Sequence, residues 1–162
     1  MNKKRNITDI MIIIWLTLIW GHSLMPAGAS SQESGFVTDF IFKLIPAFIN
    51  TSNMELFVRK AAHFSEFAVL GILLRARTGL LTGTESRQAT AGDLPGESHV
   101  HDKTAGRFFT AACAGFFAAF IDETIQLFIE GRSGSVVDMW IDLAGVITGC
   151  IITTVILKSH AA

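Results

Sequence analysis

The sequence predicts an all-α polytopic membrane bundle. It has about four transmembrane helices, with an interfacial or re-entrant helix between the first two. Three observations lead there. Half of the 162 residues are hydrophobic and only 17% are charged, whereas a soluble domain is nearer a quarter charged. The apolar residues gather into runs close to the ~20 residues that a spanning helix requires. The charges inside those runs recur at helical spacing.

The first run, from about Ile7 to Leu24, is stopped by Pro26. The second, Phe57 to Leu74 (FVRKAAHFSEFAVLGILL), is the most polar. The third covers Phe108 to Ile129 and the fourth Asp138 to Leu157. Between the first two lies Phe36–Ile49 (FVTDFIFKLIPAFI), too short to span, with Asp39 and Lys43 four apart and Pro46 inside. It reads as a helix lying in the interface or dipping back out. Residues 78–106 are rich in Gly, Ser, Thr and charge without apolar periodicity, the composition of a disordered polar loop. Within it, His99 and His101 lack further ligands and read as solvated. The whole chain, 1–162, is expected to be one membrane domain.

Lys and Arg asymmetry sets orientation. With four spans, Lys3, Lys4, Arg5, Arg75, Arg77, Arg87, Lys103, Arg107 and Lys158 share one side, nine of the thirteen basic residues. Both termini are therefore expected in the cytoplasm. The basic start, the apolar run and Ala27-Gly28-Ala29 also fit a signal peptide, but the run is long for one. A net charge of −1 disfavours nucleic acid, whose phosphates need clustered cations. Cys113 and Cys150 lie in apolar runs and read as small hydrophobes. Ala111, Gly115 and Ala119 on the third helix, and Gly145 and Gly149 on the fourth, are spaced for close helix approach. They read as facing surfaces of one hairpin, or as the contact of a homodimer.

Charges at mid-bilayer cost on the order of 2.5–3.5 kcal/mol each, so they are usually paired and functional. Here Arg59, His63 and Glu66 share one face of the second helix at i, i+4 and i+7, beside Lys60. Glu123, Gln126 and Glu130 repeat that arrangement on the third, with Asp122 four before Gln126. Arg132 follows in the turn, and Asp138 and Asp142 open the fourth helix. In the predicted topology all of them fall in the outer half of the bilayer, which implies a polar pocket open to the outer leaflet.

The candidate catalytic residues are His63, Glu66, Asp122, Glu123 and Asp142. Adjacent carboxylates facing a His could divide acid and base roles. Lys60, Gln126, Arg132 and Asp138 are candidate ligand-binding residues, with Arg132 and Lys60 suited to phosphate or carboxylate. His63, Glu66 and the Asp122–Glu123 pair could instead hold a divalent cation. A third reading is purely structural: Lys60 or Arg59 neutralises Asp122 or Glu123, and Arg132 pairs Asp138. No GxSxG, HExxH or P-loop is present, so no reaction is singled out. The constellation suits an anionic membrane lipid or a lipid-linked ligand.

Three blocks of these residues resemble the VanZ-like family of small bacterial membrane proteins. They are Ser30-Ser31 with Ser34-Gly35-Phe36; Lys60-Ala61-Ala62-His63-Phe64-Ser65-Glu66-Phe67 through Leu70-Gly71; and Asp122-Glu123, Gln126, Phe128, Gly131-Arg132, Asp138 and Gly145. The resemblance implies a helical domain of the bacterial cytoplasmic membrane and a link to tolerance of the glycopeptide teicoplanin; it implies no settled activity. Where the family pattern commonly has Asn, this chain has Asp142. The polar loop looks like an insertion. The Ser30 block directly follows the first helix, which favours an uncleaved first span.

Overall fold

The computed structural model describes residues 3–26, 51–80, 97–132 and 134–159. The Phe36–Ile49 helix, the Ser30 block and most of the polar loop lie outside these residues. Among the described residues there are four helices and no strand: α1 (Lys3–Ser23), α2 (Thr51–Leu80), α3 (Glu97–Gln126) and α4 (Val136–Ser159).

Among the described residues three stretches are long and apolar enough to cross a membrane: Lys3–Ser23, Thr104–Gln126 and Val136–Leu157. Their apolar side chains point largely outward, as Ile13 (63% exposed) and Phe117 (63%) show. An outward apolar surface of this kind suits hydrocarbon and would be costly in water. The protein is a membrane protein. The second predicted span, now α2, is as long as α3 but falls short of the others in apolar character, because Arg59, Lys60, His63 and Glu66 crowd its first half.

Two boundaries differ from expectation. α2 runs on past Leu74 to Leu80, and α3 begins at Glu97 rather than Phe108. Both edges of the expected disordered loop are thus helical, and only residues 81–96 of it lie outside the described set. No Pro falls between Glu97 and Gln126, so no backbone donor is missing along the helix. A hydrogen-bonded helix can therefore extend beyond its apolar portion.

Gly145 and Gly149 face α2, not α3 as the hairpin reading had it. A Cβ at Gly149 would lie 2.0 Å from the Ala68 carbonyl oxygen, and one at Gly145 would lie 2.4 Å from that of Phe64. Gly71 makes the reciprocal approach, with the Val146 carbonyl oxygen 2.2 Å from its virtual Cβ. GxxxG spacing announces a close backbone approach but carries no information on which helix approaches. Gly115 of α3 does meet α4, through the Val146 side chain. Phe67, Leu70, Ala111, Ala118, Ala119, Val146, Cys150 and Ile19 form the buried core. Both cysteines are free thiols.

α1 is fastened to this core by two indoles. Trp15 Nε1–H donates to the Glu66 carbonyl at 2.9 Å, and Trp20 Nε1–H reaches the Ala118 carbonyl at 3.5 Å. At the far end of the bundle Arg77 pairs with Asp9, and Arg75 Nε–H donates to Thr154 Oγ1 at 3.0 Å.

Candidate functional site

The second polar cluster, at the opposite end, draws on all four helices. α1 ends there with His22 and Ser23, α2 contributes Arg59 through Glu66, α3 ends with Asp122 through Gln126, and α4 opens with Asp138 and Asp142. The helices alternate in direction, so four separate stretches of sequence meet at one depth.

The turn from α3 to α4 is built tightly. Gly131 adopts φ 76°, a left-handed conformation that costs L-residues with a Cβ about 1–2 kcal/mol. Arg132 N–H then bonds the Ile129 carbonyl at 3.1 Å. Ser135 caps α4: its carbonyl accepts from Met139 N–H at 3.1 Å, and its Oγ accepts from Asp138 N–H at 3.4 Å. Ser135 N–H in turn donates to Glu123 Oε2 at 2.7 Å. Glu123 therefore ties the end of α3 to the start of α4.

Asp122 is fully buried with both oxygens held. Ser23 Oγ–H donates to Oδ1 at 2.6 Å and Gln126 Nε2–H to Oδ2 at 3.0 Å. The i+4 placement of Gln126 is what the sequence predicted. His63 Nδ1 lies 3.8 Å from Asp122 Oδ2 and 3.7 Å from Asp142 Oδ1. The carboxylates facing His63 are thus Asp122 and Asp142, rather than the adjacent Asp122 and Glu123. Glu66 turns to α1, its Oε1 2.9 Å from His22 Nδ1.

The expected ion pairs are rearranged. Lys60 Nζ bonds Asp138 Oδ1 at 2.5 Å. Arg132 was expected to pair Asp138, but its buried Nε and Nη1 have no hydrogen-bond partner among the described residues. Burial, and then the neighbouring Arg59 guanidinium, lower the pKa of Arg132 from its ordinary value. Neither oxygen of the fully buried Asp142 accepts a hydrogen bond either.

These groups line a cavity of about 150 Å³, roomy enough for several waters or a tetrahedral oxyanion. Arg59, Lys60, His63, Glu123, Gln126, Arg132, Asp138 and Asp142 all border it, with Leu56 and Ile141 as apolar walls. Eight of the nine predicted site residues, together with Arg59, thus meet at or beside one cavity; Glu66 stands apart with His22. The cavity offers an unpaired guanidinium and two further cations to an anion, and a His set between two buried carboxylates to a proton or cation.

Sequence reasoning missed His22 and Ser23. The signal was present, since both are polar residues closing an apolar helix at the depth of the other charges.

A family model described as VanZ/LLP1 matches residues 10–157 of this chain. No curated protein and no solved structure matches it at a significant level.

Proposed function

Because this chain belongs to the VanZ/LLP1 family, we propose that it is an envelope protein of the bacterial cytoplasmic membrane. In this reading both termini are cytoplasmic, and the cavity opens to the outer leaflet, where it takes the phosphate-bearing head group of an anionic lipid or a lipid-linked cell-wall precursor. The observation behind this reading is Arg132: a half-buried guanidinium whose buried Nε and Nη1 find no partner among the described residues, sharing its cavity with Arg59 and Lys60. Unsatisfied donors of a buried charge are costly, and a planar fork aimed into a cavity suits phosphate oxygens. His63 between Asp122 and Asp142 then supplies the groups for acid–base work on the bound head group. By family, the expected cellular consequence is glycopeptide (teicoplanin) tolerance.

A second reading is a protein that binds or moves the same lipid without chemistry. It draws support from Glu123, whose carboxylate is engaged by the Ser135 N–H, and from Lys60, paired with Asp138. Mass spectrometry separates the readings. The protein purified with native lipids should retain an anionic species that Arg132→Gln loses. Equal retention by both would sink the head-group reading. Extracts of cells making wild type or Asp142→Asn, at matched membrane amounts, should differ by one lipid-linked species if chemistry occurs. Identical extracts would leave binding or transport, and teicoplanin tolerance measured on the same strains would report whether that binding matters to the cell.

A further inference from the structure

Asp142 is the cavity's most demanding group. Its side chain is completely buried, and neither carboxylate oxygen receives a hydrogen bond. His63 Nδ1 is likewise without a hydrogen-bond partner and lies 3.7 Å from Asp142 Oδ1. One ligand atom each from His63, Asp122 and Asp142 can be chosen so that all lie within 4.8 Å of one another. Ligands ~2.1 Å from a tetrahedral ion stand about 3.4 Å apart, so side-chain adjustments of roughly an ångström or less would close the set around one ion.

The surroundings agree. Ser23 and Gln126 hold Asp122 by one oxygen each and leave each oxygen a lone pair, as an outer shell does for a metal-ligating carboxylate. Asp122, Glu123, Asp138 and Asp142 meet Arg59, Lys60 and Arg132 at or beside the cavity, yet among the described residues no donor reaches either oxygen of Asp142. A divalent cation would satisfy those oxygens.

We infer that His63, Asp122 and Asp142 form a divalent-cation site at the base of the cavity, with one nitrogen and two oxygen ligands and an open position toward Arg132. Such a donor set suits Zn²⁺ or Mn²⁺. The site differs from the cation set expected from the sequence: Asp142 stands where Glu66 and Glu123 were placed, because those two are engaged by His22 and Ser135. It deepens the head-group reading and rests on it in one respect, that the open coordination position faces the proposed phosphate.

The full chain in lipid nanodiscs, stripped with chelator and equilibrated with Zn²⁺ or Mn²⁺ alone, should hold one ion per chain by elemental mass spectrometry. Asp142→Asn and His63→Gln should each weaken binding tenfold or more, and Ser23→Ala by about 10-fold through its hold on Asp122. Arg77→Ala, at the far end, should bind as wild type. The Mn²⁺-loaded wild type should also show the electron-spin-echo modulation of a coordinated imidazole nitrogen. This readout stands even where a variant fails to fold. Less than a tenth of an ion per wild-type chain with both metals, wild-type affinity in a folded Asp142→Asn, or no nitrogen coupling would each overturn the site. Anionic lipid is assayed in the same samples, so the two readings fail separately. Lipid retained without metal overturns the ion alone, whereas metal bound without lipid selectivity supports the ion and sinks the head-group reading.

Discussion

Adding one methyl group at Gly145 tests how α4 meets α2. A Cβ there would sit 2.4 Å from the Phe64 carbonyl oxygen and 3.1 Å from the Ala68 nitrogen. Ordinary contact begins at 3.4 Å, so the helices must part by about 1.0 Å. The obstructing atoms are backbone within a helix and cannot rotate aside. Overpacking typically costs ~1–3 kcal/mol, and backbone on both sides argues for the upper end, ~3 kcal/mol. Alanine's better helix propensity returns ~1 kcal/mol, leaving a net loss near 2 kcal/mol. For a chain of this size that corresponds to a fall in melting temperature of roughly 4–8 °C. Phe64 adjoins His63, and Gly145 lies one turn beyond Asp142, so the same displacement widens the 3.7 Å approach of His63 to Asp142. The assay is thermal unfolding in nanodiscs followed by tryptophan fluorescence, with Gly21→Ala as the matched control. Gly21 has nothing within 4 Å of its virtual Cβ, so that variant should melt at or slightly above wild type. A Gly145→Ala protein melting within about a degree of wild type would refute the close approach.

Ser23→Ala removes a 2.6 Å donor from the fully buried Asp122 and should cost ~1–3 kcal/mol, with Ser23→Thr restoring most of it in the same melt. Trp15→Phe keeps the ring but loses the 2.9 Å bond to the Glu66 carbonyl; a loss of ~0.5–1.5 kcal/mol is expected, read by the same unfolding curve. The Lys60–Asp138 pair has side chains 42% and 35% exposed, so Lys60→Met should change stability by less than about 1 kcal/mol while reducing anionic-lipid retention. A large stability loss repaired by the swapped pair Lys60→Glu with Asp138→Lys would instead make the contact structural.

Much of this arrangement was legible because hydrocarbon is an unforgiving solvent. Runs of the right length, and charges that should not lie within them, single out His63, Glu66, Asp122, Glu123 and Asp142 before any coordinate is known. Spacing along one helix also foretold that Gln126 would reach Asp122. What periodicity cannot supply is the identity of partners across helices. Lys60, Arg59, Asp122, Glu123 and Asp138 admit several pairings with the same net charge, and only packing selects Lys60 with Asp138 and leaves Arg132 open. The glycine motif had the same shortcoming: it marked the contact face of α4 without naming α2. His22 and Ser23 escaped notice because polar residues just before Pro26 are also what an ordinary helix end looks like.

The intimate seating of α4 on α2 has a consequence for biogenesis. α2 is the helix least able to enter lipid unaided, since its first half carries Arg59, Lys60, His63 and Glu66. Its glycine-lined neighbour, bearing the acids that face Lys60 and His63, is made only after α3. α4 must therefore emerge before α2 has its closest partner, and the order of manufacture is not the order of assembly. Insertion of this fold thus calls for shelter of a hydrophilic segment until α4 emerges.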